Sequence, residues 1–183
     1  MRQITTERLI IRPLQTVDHD ELEAILLDPA VVRYTRYRDV KTPTNFTAIF
    51  ESHFLNTAYT FGIETKDEHK LIGFYEFHPE DATGILTYAL AQSAWGKGYV
   101  AEVGSAMMAY GFNVLNFERI EAHYASTNPR SGKVMQKMGM RDLGSMGTFP
   151  SPHTGEVRQV MAYELKKADW IMDNQQVEEV EAV

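Results

Sequence analysis

The sequence predicts an α/β domain, on three observations. Runs of period-two alternation and runs of helical periodicity follow one another with no linker, internal repeat or low-complexity stretch between them. Three strand-like runs, residues 58–64, 70–78 and 84–90, lie so close in sequence that an antiparallel meander is the simplest way to join them. The 183 residues, 44% hydrophobic and 23% charged, suit a single domain over 1–183 with a substantial core.

The elements follow in order. Residues 8–14 read as a first strand, stopped by Pro13. Residues 18–27 read as a helix with Asp18 as N-cap and Leu22, Ile25 and Leu26 on its apolar face. Residues 44–55 read as a second helix, with Phe46, Ile49, Phe50 and Phe54 at helical spacing. Acidic or polar turns at 65–69 and 79–83 separate the strands of the meander. Past Gly96 and Gly98, a stripe of Val100, Val103, Met107, Tyr110 and Val114 marks a long helix. Residues 119–125 form another strand. Asn128 and Pro129 then open a helix as N-cap and first helical residue, and Gly139 ends it. Residues 140–146 and 156–165 read as a closing hairpin. Residues 166–183 form a polar, acidic tail, helical near 168–172.

Composition narrows the function. A formal net charge of -7 argues against a general nucleic-acid binder and suits a cationic or amine substrate. Cysteine is absent, which excludes disulfides, thiolate metal sites and a cysteine nucleophile, and fits a reducing cytoplasm. No apolar run approaches the roughly 20 residues that span a bilayer, and the opening residues lack the apolar block of a signal peptide. A cytoplasmic, metal-free protein without membrane or nucleic-acid partners is expected, as monomer or homodimer.

The stretch from Gln92 to Glu102 carries the first chemistry. Gly96 and Gly98 leave backbone N–H groups open to a ligand, and the helix behind them adds unpaired donors and a positive dipole end. This suits a phosphate or pyrophosphate, although strand, Gly-x-Gly and helix also make an ordinary tight turn. No Gly-Lys-Ser/Thr follows, so it is not a Walker loop. The strand before it does not start a repeating strand–helix series, which argues against a dinucleotide fingerprint.

The succession Tyr88-Ala89-Leu90, Trp95-Gly96-Lys97-Gly98-Tyr99, Glu102, Phe112, Arg119-Ile120, Asn128-Pro129-Arg130-Ser131 and Lys137-Met138-Gly139 resembles the GNAT acyltransferases. Within them it is similar to the RimJ/RimL-like ribosomal-protein N-terminal acetyltransferases, as is the opening stretch from Thr6 to Leu14. The resemblance spans residues 6–165. It implies a mixed, mostly antiparallel sheet with helices on both faces and acetyl-CoA as co-substrate. It places that co-substrate between two splayed parallel strands, here residues 84–90 and 119–125. The pantetheine arm would pair with the strand edge at Tyr88, Ala89 and Leu90. The pyrophosphate would fall on the N–H groups of Trp95, Gly96, Lys97, Gly98, Tyr99 and Val100.

Asn128 would contact the pantetheine. Ser131 would lie near the sulfur and protonate the departing thiolate, a task that water could also perform. Two positions depart from the family pattern. Ser93 stands where Gln or Arg is usual, which leaves the phosphate grip to backbone donors and Lys97 unless Lys97 is a solvated turn lysine. Met135 stands where many members carry a tyrosine acid. Trp95 either shields the co-substrate or closes the turn.

Attack on a thioester needs a neutral amine. A lysine-like amine, with a pKa of about 10.4, needs a base or a desolvating pocket, whereas an α-amine of about 7.7–8.0 needs little help. Glu76 is the candidate base: alternation puts it with Phe74 and His78 on one face of a strand, and a carboxylate between aromatics is either used or paired, for example with Arg33 or Arg38. His78 is a second acceptor-side candidate or a plain strand-end histidine. Within the stretch from Arg33 to Arg38, residues such as Arg33, Tyr34 and Arg36 could hold a carboxylate, phosphate or peptide backbone, or the stretch forms a solvated loop whose tyrosines, Tyr34 and Tyr37, pack on the core. The expected activity is direct acetyl transfer to a primary amine in a ternary complex, with a protein N-terminus as acceptor. A small amine such as a polyamine, amino acid or drug is the alternative, as is a non-catalytic acyl-CoA-binding regulator.

Overall fold

In a computed structural model, residues 3–150 and 157–172 are described; the expected strand start at 156 and the expected tail beyond 172 lie outside them. Eight strands form one sheet: β1 (Ile4–Thr5), β2 (Leu9–Arg12), β3 (Thr60–Thr65), β4 (Leu71–Glu80), β5 (Thr83–Leu90), β6 (Arg119–Ala125), β7 (Arg141–Pro150) and β8 (Val157–Lys166). Their order is β1-β2-β3-β4-β5-β6-β8-β7, and only the β5–β6 pair is parallel. This is the mixed, mostly antiparallel sheet that the family resemblance implied, with the 58–90 meander at its centre. The helices are α1 (His19–Leu26), α2 (Pro29–Val32), α3 (Pro43–Ile49), α4 (Tyr99–Asn113) and α5 (Pro129–Lys137). Residues 167–172 are helical as well. Among the described residues no helix is long and apolar enough to cross a membrane.

Alternation along β4 divides the core between the two faces of the sheet. Tyr75 and Phe77 pack with Val103 and Met107 of α4 and Met135 of α5, whereas Phe74 packs with Leu22, Phe46, Phe50 and Phe54 on the opposite side. The register skips Ile72, since Glu64 faces Leu71 while Ile63 faces Gly73. That bulge turns Ile72 toward the α4–α5 side, out of step with Phe74.

Several local readings change. β4 continues through Pro79 to Glu80, where a turn was expected, and only Asp81 and Ala82 join it to β5. Phe77 donates its N–H to Tyr59 next to the start of β3. Pro79, two residues on, points its missing donor the same way, beyond the end of β3, so no ladder bond is lost. Asp18 does not cap α1 with its side chain. Its carboxylate accepts from both terminal nitrogens of Arg12 at 2.7 and 2.8 Å and from the Gln15 N–H at 2.7 Å. The second helix is α3 continued by a π-turn, Phe50–Phe54, closed by Leu55 N–H on the Phe50 carbonyl. Val114 falls just past the end of α4 and is exposed, so it leaves the expected apolar stripe. Short elements without a counterpart in the sequence reading include β1, α2 and the 3-10 turn Arg36–Asp39.

Candidate active site

The parallel pair parts halfway along. Thr83 to Leu86 register with Arg119 to Ala122, and beyond them β5 stays with β4 while β6 stays with β8. The β5 edge from Thr87 to Leu90 is therefore unpaired on its β6 side. At the mouth of this cleft the chain makes a 3-10 turn at Gln92–Ala94 and enters α4 through Gly96 (φ 76) and Gly98 (φ 80). Both lie in the left-handed region that side chains resist. A Cβ on Gly96 would meet nothing within 4 Å, so the turn faces open space.

Trp95 closes the turn, its indole N–H donating to the Leu90 carbonyl at 2.8 Å. Lys97 is exposed, with Nζ 5.9 Å from the Tyr99 ring. A second cation, which the sequence reading did not assign to the site, stands here. Arg8 lies over the Tyr99 ring at 4.6 Å and donates to the Lys97 carbonyl at 2.9 Å. Glu102, on the first turn of α4, fixes it by accepting from Arg8 Nε at 2.8 Å and from the Arg8 N–H at 2.9 Å. The signal was a basic residue and a first-turn acid, 94 positions apart, in two stretches of the same family pattern.

Three hydroxyls gather at the start of α5. Asn128 forms no side-chain cap, contrary to the sequence reading. Its Nδ2 instead donates to Ser131 Oγ at 2.9 Å. The Tyr88 hydroxyl is buried without a hydrogen-bond partner within ordinary distance, although Ser131 is near enough to act on it. Burial pushes this phenol up to about 12, and Ser131 pulls weakly the other way. Tyr124, on the splayed end of β6, packs against Gly132, where a Cβ would stand 2.7 Å from its hydroxyl. Met135 is buried in the core.

Across β5 on β4 lies Glu76, 0% exposed. The Tyr37 hydroxyl donates to it at 2.9 and 2.7 Å, His53 Nε2 lies 3.0 Å away and His78 Nε2 2.8 Å. Burial alone would raise this carboxyl, but the histidine and tyrosine hydrogen bonds outweigh it and hold it at about 2. Glu76 is thus an ionised, fully engaged acceptor, and a weak proton acceptor at neutral pH, unlike the base expected from sequence. Burial first, and then the Glu76 charge, push the Tyr37 phenol far up, so it remains a donor. Arg36 Nη1 lies 3.0 Å from His78 Nδ1. Arg33 turns to the Tyr34 ring at 5.3 Å, and Arg158 reaches the same ring at 5.6 Å. The Tyr34 hydroxyl donates to the Thr127 carbonyl at 3.4 Å. The segment from Arg33 to Tyr37 therefore bridges from β4 to the loop before α5. Sequence reasoning named Glu76, His78, Arg33, Tyr34 and Arg36 but missed His53; of the two tyrosines it allowed to pack on the core, Tyr37 is buried and Tyr34 is exposed.

A separate cavity of about 330 Å³ opens beside α1, lined by Glu21, Asp28, Leu71 and Gln92 among others. Its carboxylates are committed: Glu21 accepts from the Leu71 N–H, and Asp28 from Gln92 and the Ala30 N–H. Among the described residues no group of three or more metal-ligating side chains is arranged to hold an ion.

Residues 8–141 match the family model for the acetyltransferase (GNAT) domain. The chain belongs to the GNAT acetyltransferase family. It is accordingly an acyltransferase. This GNAT chain is 28% identical to an uncharacterized N-acetyltransferase, p20, of Bacillus licheniformis, over 93% of its own length and 99% of the relative's. Over 100 residues, 52% of each chain, it is 30% identical to the ribosomal protein uS5-alanine N-acetyltransferase of Escherichia coli. Its fold matches a GNAT acetyltransferase of Bacillus anthracis with a TM-score of 0.82 at 26% identity, covering 91% of this chain and 99% of the other. It also matches the spermidine N-acetyltransferase of Vibrio cholerae solved with CoA and spermine, with a TM-score of 0.77 at 18% identity, covering 89% and 98%. That last likeness concerns the fold alone.

Proposed function

We propose that this GNAT enzyme, working as a single domain of the RimJ/RimL-like branch, moves an acetyl group from acetyl-CoA to the α-amine of a peptide or protein N-terminus. The observation that carries the acceptor class is the charge of the rim. Segment 33–39 sets Arg33, Arg36 and Arg38 against one carboxylate, Asp39, and Arg158 joins it at Tyr34. The buried carboxylate behind this rim, Glu76, is already engaged by three donors. A polyamine would bring several positive charges to a cationic rim, at a Coulombic cost. A peptide brings one amine and a row of carbonyl oxygens that guanidinium groups can hold. The partial likeness to the uS5-alanine enzyme points the same way.

The cleft residues suit acetyl-CoA. The unpaired edge of Tyr88, Ala89 and Leu90 can bond a peptide-like arm, and the N–H groups from Gly96 to Val100 can hold a pyrophosphate, whereas the Trp95 N–H, expected to join them, is spent on the Gln92 carbonyl. The orphaned Tyr88 hydroxyl awaits a partner in the same cleft. Lys97 adds positive charge at the turn, and Arg8, whose charge Glu102 balances, braces its backbone through the Lys97 carbonyl. Once bound, acetyl-CoA supplies an acyl group activated as a thioester. Ser131, oriented by Asn128, is the protein's proton donor on that side, and Met135 has no proton to give. An α-amine of about 7.7–8.0 is roughly a tenth to two thirds neutral across pH 7–8, far more than a lysine-like amine, so its initial deprotonation demands little.

The test is thiol release with acetyl-CoA against peptides with Ala, Ser or Met N-termini, spermidine, free amino acids and lysine analogues. Peptide α-amines are expected to be the best acceptors by at least about tenfold in kcat/KM, which corresponds to 1.4 kcal/mol. Spermidine as the best acceptor overturns the peptide reading. Thermal protection by acetyl-CoA without turnover on any amine points to a binding module. On the best acceptor, Ser131→Ala is expected to lower kcat about tenfold or more; full activity removes Ser131 as the acid.

A further inference from the structure

We propose that His53 is the catalytic group that takes the proton from the acceptor amine, with Glu76 and Tyr37 as its positioning partners. The inference rests on the acyl transfer proposed above and assigns it a base.

Hydrogen-bond partners fix the tautomers of two rings. A guanidinium has no lone pair to offer, so where Arg36 meets His78, Nδ1 of His78 must accept. Glu76 is ionised and can only accept, so Nε2 of His78 must donate to it. Both nitrogens of His78 are spoken for. His53 meets the same carboxylate through Nε2, which therefore carries its proton. Its Nδ1 is left with a lone pair, and among the described residues nothing bonds it. The His53 side chain is 41% exposed, against 16% for His78. The two rings stack at 6.1 Å and 12°, with His53 the more exposed of the pair.

Local structure supports the placement. His53 lies within the π-turn Phe50–Phe54, a rare geometry that recurs at functional sites. Phe50 and Phe54 of that turn anchor in the core and His53 reaches across to β4. As the nitrogen–carbon bond of the new amide forms and the carbon–sulfur bond breaks, the nitrogen becomes positive and must lose a proton. That proton goes to Nδ1 of His53, while the sulfur leaves with the electron pair. Glu76, held on the other side of the ring by Tyr37 and His78, balances the imidazolium until water removes the proton.

The bland alternative is that His53 only satisfies the buried Glu76. His53→Gln separates the two, since a glutamine amide N–H can still donate to Glu76 but has no basic nitrogen. With the best acceptor from the panel, kcat is expected to fall about 100-fold, with acceptor KM, Tm and the thermal shift from CoA nearly unchanged. A His53→Gln protein with wild-type kcat overturns the role of His53 alone; a wild type that acetylates no amine overturns the reaction and this role together. Ring-nitrogen NMR of the wild-type protein gives an independent readout that needs neither turnover nor a folded variant. His53 is expected as the Nε2–H tautomer with a bare Nδ1, and an Nδ1–H tautomer overturns the proposal.

Discussion

Glu76→Gln is expected to cost about 3 kcal/mol of stability at pH 7 and most of the acetyl transfer, and the stability gap is expected to close as pH falls. The Glu76 carboxyl is held at about 2 in the fold, against an ordinary value of 4.5. Each unit of such a difference is worth about 1.4 kcal/mol. Because the folded value is the lower one, the stabilisation is fully present above about pH 4.5 and is lost as pH falls from there through about 2. Glu76 is fully buried, so solvent screening takes little from this figure. In the variant, Tyr37, His53 and His78 face a neutral amide whose N–H₂ end competes with them as a donor, so at least one is left poorly paired. Urea unfolding of both proteins at pH 7 and pH 3 is the measurement. The difference is expected to shrink by more than half at pH 3. A difference that stays constant would mean that Glu76 contributes only packing.

The same residues explain what could be read from the sequence. The donor side is built from short continuous stretches, 88–102 and 128–131, whose glycines, strand and helix start are local signals. The resemblance therefore located the cleft with its elements in order. The acceptor side joins α2, the Arg36–Asp39 turn, the π-turn and β4, which meet only in three dimensions. The sequence leaves Tyr37 between rim and core because its partner, Glu76, lies 39 positions away. His53 read as one residue of a regular helix because no propensity marks a π-turn. Glu76 itself was visible through alternation alone, but alternation could not say that three donors would hold it ionised. Asn128 and Asp18 misled for a common reason: good capping residues have side chains that other nearby side chains can claim, here Ser131 and Arg12.

Gly73→Ala is expected to destabilise the protein by about 2–4 kcal/mol and to abolish the thermal shift produced by CoA. A Cβ at this position would stand 2.2 Å from the Ala89 carbonyl oxygen and 2.5 Å from Leu90 Cδ2. The first of these is backbone and cannot rotate away. Gly73 pairs with Leu90 in the β4–β5 ladder and adjoins the bulge at Ile72, so the strain cannot pass toward β3 without breaking a second register. The remaining relief is for β5 to move from β4 at the end where it has already parted from β6. That movement would displace Tyr88, Ala89 and Leu90, the edge proposed to bind the pantetheine. It would also disturb both halves of the core, since Phe74 and Tyr75, the next two residues, pack on opposite faces. For a chain of this size each kcal/mol lowers Tm by about 2–4 °C, so thermal unfolding with and without CoA reads both effects at once. A variant that lost stability but kept the CoA shift would mean that the strain is absorbed before it reaches Tyr88, and that the free edge of β5 is not what grips the ligand.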